Sequence, residues 1–234
     1  MRRYLLPPEG TFYRANLHSH STVSDGELSP VEMKAVYKGM GYSVLAYTDH
    51  NVMISHQELT DGEFVALNGY ELDITSPVPG ECNSQKTCHI GLIALEPDNL
   101  RQVCWHRTKY LMRNAVNYRD QVQFYEEEPD FERVYTPECI NEVMRRGRER
   151  GFFVTYNHPT WSCENYTQYI AYNYMHAMEI CNYASMMGGF RNIIPVFMMK
   201  CFVQANRSIV SVRMTTIIGV QRRPAGGIQA AHGR

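Results

Sequence analysis

Thr11-Phe12-Tyr13-Arg14-Ala15-Asn16-Leu17-His18-Ser19-His20 is an apolar-rich run closed by two histidines one residue apart. Side chains of an extended strand alternate with period two, so His18 and His20 at the mouth of such a strand point the same way. Asp25 follows five residues after His20, and Thr48-Asp49-His50 ends thirty residues after it. Imidazole and carboxylate are the donors that a Zn, Mn or Fe ion takes.

Outward from this run, strand-like and helix-like segments alternate. Ser29-Pro30-Val31-Glu32 is a capping box with proline at the first helical position, and it predicts a helix to about Gly39. Tyr42 to Tyr47 reads as a buried strand ending at Thr48-Asp49-His50. Phe64 to Leu67 runs through Asn68 into Gly69-Tyr70-Glu71-Leu72-Asp73. His89 to Leu95 is a further strand, closed by Glu96-Pro97-Asp98. Helical patterns cover about Leu100 to Val116 and, capped by Thr136-Pro137, Pro137 to Arg150. Phe152 to Tyr156 is a strand ending at Asn157-His158-Pro159, and Ala177 to Cys181 another; Thr75 to Lys86 is a turn-rich loop. Such alternation implies an α/β fold of parallel βα units.

The 234 residues suffice for one sizeable domain or two small ones. A net charge of −1 gives no electrostatic case for nucleic acid as a structural partner. No apolar stretch approaches the roughly 18 residues that span a bilayer, and Met1-Arg2-Arg3-Tyr4-Leu5-Leu6-Pro7-Pro8 lacks a signal-peptide core. The expectation is a soluble cytoplasmic protein. The seven cysteines are odd in number and form no Cys-x-x-Cys pair, which argues for free thiols over a disulfide framework or a zinc ribbon.

The chemically suggestive residues fall near the carboxyl ends of the predicted strands, where α/β barrels build their active sites. His18 and His20 end the first, His50 the second, Glu71 follows the third and His158 ends a later one; His89 is the exception, at the start of its run. Five histidines with Glu71 and Asp25 exceed what one ion needs. A ligand that bridges ions must be a carboxylate, because an imidazole nitrogen has a single lone pair; Glu71 is the candidate, with Asp25 on the other side. Two metals about 3.5–4 Å apart would activate a bridging water and clamp a phosphoryl group. Asp49 is expected to orient a ligand histidine, and His56, His106 and His176 to be surface or structural residues.

Taken in order, His18-Ser19-His20-Ser21-Thr22 with Ser24-Asp25-Gly26, Thr48-Asp49-His50, Gly69-Tyr70-Glu71, His89 and Asn157-His158-Pro159 resemble the successive motifs of the PHP (polymerase and histidinol phosphatase) domain family. The resemblance covers about residues 12 to 190. It implies a distorted (β/α)7-type barrel with two or three divalent ions (Zn, Mn or Fe) that hydrolyses phosphoesters. By motif matching, the metal ligands would be His18, His20, Asp25, His50, Glu71, His89 and His158. The catalytic group would be metal-activated water, with His20, Asp25 and His50 near it.

The family's last motif, Asp-x-His on the final strand, is absent, and no Asp or Glu follows Glu179. Residues 1–190 therefore read as an incomplete barrel and 191–234 as an aberrant tail. Reading codons one base out of register turns Met214-Thr215 into GAC, an Asp, inside a stretch compatible with Thr-Asp-Asp-Asn-His-Asn; Met198-Met199-Lys200 becomes Asp-Glu. A frameshift from near Arg191 accounts for both. The functional expectation is metal-dependent hydrolysis of small phosphomonoesters or nucleotides. Alternatives are an inactive metal-binding remnant that lacks the last ligand pair, and a nuclease-like phosphodiesterase.

Overall fold

The structure, a computed structural model, describes residues 13–79, 85–179 and 181–189. Its frame is a six-stranded sheet in the order β1 (Ala15–Asn16), β2 (Val44–Tyr47), β3 (Val65–Pro79), β4 (Gln85–Ala94), β7 (Phe152–Asn157) and β8 (Ala177–Met178). A separate pair, β5 (Arg101–Gln102) and β6 (Gln123–Phe124), lies in the long connection between β4 and β7. At their carboxyl ends the two edge strands reach one another, since His18 Nδ1, after β1, is 3.2 Å from Glu179 Oε2, after β8. The sheet is therefore curled, with its ligand-type side chains inside the curl.

The expected barrel of parallel βα units needs correction. β1, β2 and β3 are parallel and so are β7 and β8, but β4 is antiparallel to both of its neighbours. The described residues form a curled half-barrel of six strands, and the seven-unit count is not met among them. The stretch read as a loop, Thr75 to Lys86, is mostly a hairpin arm pairing Thr75 with Thr87 and Pro79 with Gln85. Antiparallel neighbours need no crossover helix between them, and among the described residues no helix separates β3 from β4.

The helix read over Leu100 to Val116 is also absent. Gln102 turns inward to accept from the Met53 backbone N–H and donate to the Asn51 carbonyl, while Cys104 and Tyr110 adopt left-handed φ values that a helix does not tolerate. A 3-10 helix, Arg113–Gln121, follows. Tertiary hydrogen bonds override the local pattern here. The expected tail, 191–234, and Thr11 and Phe12 of the opening run lie outside the described residues.

The two long helices follow their capping residues. α1 (Pro30–Gly39) starts with the Ser29 hydroxyl accepting from Glu32 N–H and the Glu32 carboxylate accepting from Ser29 N–H. α2 (Pro137–Glu149) is capped by Thr136 and buries Ile140, Val143 and Met144 against the sheet core of Leu72, Ile90 and Val154. Ile140 is fully buried, so truncation to alanine is expected to destabilise by about 2–5 kcal/mol. Two short helices, α3 (Tyr166–Tyr169) and α4 (Tyr183–Met187), flank β8. Among the described residues no helix is long and apolar enough to cross a membrane, and Cys88, Cys104, Cys139 and Cys163 are free of disulfides.

Candidate metal centre

Glu71 is the middle of the site. It points from β3 into the curl and is fully buried. Its Oε1 lies 3.1 Å from His18 Nε2 and 3.2 Å from His158 Nε2. Its Oε2 lies 3.2 Å from His20 Nε2, 3.4 Å from His50 Nδ1 and 3.1 Å from His89 Nδ1. One carboxylate thus faces five imidazoles from four segments. Asp25 joins at the edge, its Oδ1 2.8 Å from His20 Nδ1 and its Oδ2 3.8 Å from His50 Nε2.

The local fold explains each position. The extended backbone after β1 sends His18 and His20 the same way, with His18 Nε2 and His20 Nε2 3.1 Å apart. His50 is bridged to Glu71 just beyond β2. His89 is the fifth residue of β4, level with Asn157 of β7 and Asp73 of β3. Because β4 runs against its neighbours, its first half stands at their carboxyl ends, which explains the one histidine that broke the strand-end rule. His158 leaves β7 with a φ of 25°, a strained value of the kind that collects at working sites.

The electrostatics centre on that carboxylate. Burial works against the charge of Glu71, but the charges of His18 and His89 and the bond to His158 outweigh it and hold its pKa well below the usual range. Burial opposes protonation of His20, yet bonds to Asp25 and Glu71 raise it to about 9. His18 is raised as well, against its burial, by Glu71 and Glu179. His50 is lowered to about 3 by burial and by the neighbouring His20 charge, which favours the neutral ring with its one lone pair for a ligand bond. Asp25, despite partial burial, is held strongly ionised by His20.

Whether the residues fit a cation can be tested on their own contacts. His50 Nδ1, Glu71 Oε2 and His89 Nδ1 are buried and have no hydrogen-bond partner among the described residues, a costly condition that a cation at their convergence would relieve. Donors 2.0–2.2 Å from a tetrahedral zinc ion stand roughly 3.3–3.6 Å apart, and the contacts around Glu71 run from 3.1 to 3.4 Å. Four groups have their donor atoms within 4.8 Å of one another: His18–His20–Glu71, His50–Glu71–His89, His20–Asp25–His50 and His18–His158–Glu179. The donor set fits.

Several supporting residues were not read from the sequence. Glu179 backs His18 Nδ1 and accepts from the His158 backbone N–H at 3.0 Å; it stands just past the end of β8, the same strand-end signal that marks His18 and His50. Asn157 donates to Glu71 Oε1 at 2.7 Å and accepts from the Thr155 hydroxyl. Gly91, level with Glu71 and Thr155, leaves room for this: a Cβ there would strike Thr155 Oγ1 and come within 3.1 Å of Asn157 Nδ2.

Asp49 does not bond a histidine as expected. Its carboxylate accepts from the N–H and hydroxyl of both Ser21 and Ser24, so it ties down the loop that carries Asp25. His56, its ring tilted by 35° against that of Tyr47, and His106, paired with Glu132, are buried and bond none of the cluster residues. His176 accepts from the Val154 N–H.

No family model matches the sequence, and no curated protein does. Solved structures do. One is a two-domain protein from Bacteroides vulgatus that contains a predicted PHP-like metal-dependent phosphoesterase, matched at 17% identity and a TM-score of 0.39 over 73% of this chain. The chain spans 44% of that protein's length. Another is a proposed metal-dependent phosphoesterase from Bifidobacterium adolescentis, matched at 13% identity and a TM-score of 0.48, covering 83% of this chain and 84% of the other. In these structural comparisons the chain is similar to PHP-like metal-dependent phosphoesterases.

Proposed function

We propose that this chain is a metal-dependent phosphoesterase of the PHP type, acting on small phosphomonoesters or nucleotides with two or three divalent ions. The observation that carries the reading is the Glu71 carboxylate ringed by imidazoles, with three buried polar atoms of the cluster without hydrogen-bond partners among the described residues. His18, His20 and Glu71 would hold one ion and His50 or His158 with His89 and Glu71 another, Asp25 serving the edge beside His20. His50 presents one nitrogen to each of two groups but, as a neutral imidazole, has a single lone pair to give.

Bound ions would supply a nucleophile at neutral pH and charge stabilisation for the phosphoryl oxygens. The chain's own residues hold that arrangement. Glu179 keeps the His18 ring oriented from behind, and Asn157 keeps one Glu71 oxygen in place. Asp25, held ionised by His20, suits the role of ligand or base and not that of acid.

Phosphate release from an aryl phosphate by manganese-loaded protein, with metal content measured alongside, tests this. Release that disappears in a folded His20→Ala variant supports the site. Metal uptake without any release would instead leave a metal-binding remnant, and no uptake at all would overturn both.

A further inference from the structure

The cluster is the floor of an open cleft of about 300 Å³. Part of its rim is apolar. The turn after Asp25 contributes Leu28, and α1 contributes Met33, Val36 and Tyr37. Trp161 adds an indole that is 40% exposed, its ring centroid 5.1 Å from that of His89 and 5.0 Å from that of His158. The charged rim residues are acidic, Asp25 and Glu27, and no lysine or arginine among the described residues lines the cleft.

The indole stands on a pinned loop. The Thr87 N–H donates to the Ser162 carbonyl, the Ser162 N–H to the His158 carbonyl, and the Glu164 carboxylate accepts from three tyrosine hydroxyls. A preset aromatic surface binds without the entropic cost of ordering itself.

We propose, resting on the phosphoesterase reading above, that the site takes phosphoesters whose leaving group is flat, apolar and uncharged, and disfavours those with a second phosphate. The reacting phosphoryl group belongs at the floor, among the imidazoles. Its leaving group then meets Leu28, Met33, Val36 and Trp161, where an aromatic ring sheds water and contacts the indole favourably. A second phosphate on the same substrate finds no lysine or arginine on that rim among the described residues and faces the Glu27 carboxylate, so it loses hydration without a compensating partner.

The test compares manganese-loaded full chain on three esters whose leaving alcohols are similarly basic: 2-phenylethyl phosphate, propyl phosphate and propane-1,3-diyl bisphosphate. A kcat/KM about tenfold higher for the phenylethyl ester than for the propyl ester is expected, with the bisphosphate about tenfold below the propyl ester. Trp161→Ala should erase the phenyl preference, and Glu27→Lys should raise the bisphosphate alone. Equal rates, a preference for the bisphosphate, or a Trp161→Ala loss shared equally by all three esters would overturn the proposal. Calorimetry with benzylphosphonate and propylphosphonate reads the same preference without turnover. If no ester is hydrolysed but benzylphosphonate binds more tightly, the phosphoesterase reading fails and the pocket preference stands; if the two bind alike, the preference fails.

Discussion

Oε2 of Glu71 lies 3.1 Å from Nδ1 of His89, and neither atom has a hydrogen-bond partner among the described residues. Two buried atoms that face each other unpaired are unfavourable alone and favourable around a cation. His50 Nδ1, 3.4 Å from the same oxygen, shares this condition.

Metal loading should therefore raise stability by mass action. At an ion concentration a hundredfold above Kd the expected gain is about 2.7 kcal/mol, read as a shift of the unfolding midpoint that chelation reverses. Glu71→Gln removes the central charge and should abolish the shift. An equal shift in the variant would place the ion elsewhere.

Gly91→Ala should unsettle the centre from beneath. The added methyl collides with Thr155 Oγ1 and crowds the Asn157 amide that donates to Glu71. Overpacking of this kind typically costs about 1–3 kcal/mol, and metal affinity should fall with it. Urea unfolding and a metal titration check the two parts, and a variant indistinguishable in both would contradict the packing.

Asp49→Asn tests the loop between His20 and Asp25. The amide nitrogen cannot accept, so part of the four-donor set from Ser21 and Ser24 goes unmet. A stability loss of about 1–3 kcal/mol is expected, with weaker metal binding, measured by the same two assays. Unchanged metal affinity would show that the loop does not position Asp25.

Alkaline pH should destabilise the fold through three phenols gathered on Glu164. Tyr135, Tyr156 and Tyr172 all donate to Glu164, and burial, reinforced by that carboxylate, raises each pKa above the ordinary tyrosine value. A folded pKa above the unfolded one contributes stability that is complete below about pH 10 and is lost as pH rises through the folded value. Each phenol then contributes a slope of up to about 1.4 kcal/mol per pH unit. Unfolding midpoints from pH 8 to 11 should drop, less steeply in Tyr172→Phe; a flat profile would sink the assignment.

Local chemistry carried much of this protein into view. The period-two spacing of His18 and His20, the Ser29 and Thr136 caps and the apolar run Val44–Tyr47 depend only on neighbours in the chain, and the two helices stand where their caps put them. The residues named as ligands, from His18 to His158, also lie in one cluster; several stand at strand ends, which are recognisable without knowing how strands pair, whereas His89 came from the motif resemblance.

What pairing decides stayed hidden. Periodicity carries no strand direction, so the reversal of β4 was not legible, nor was the reason that His89 reaches the site from mid-strand. The segment after Leu100 has a helical pattern, yet Gln102 bonding across to Met53 and Asn51 draws it into other structure. Glu179 and His18 are 161 residues apart and meet only because the sheet curls its edges together. The sequence by itself determined the donor chemistry and the element ends, which are local properties of side chains and caps. Only the tertiary structure decided strand direction, curl and the orphaned atoms around Glu71, because each depends on contacts between residues distant in the chain.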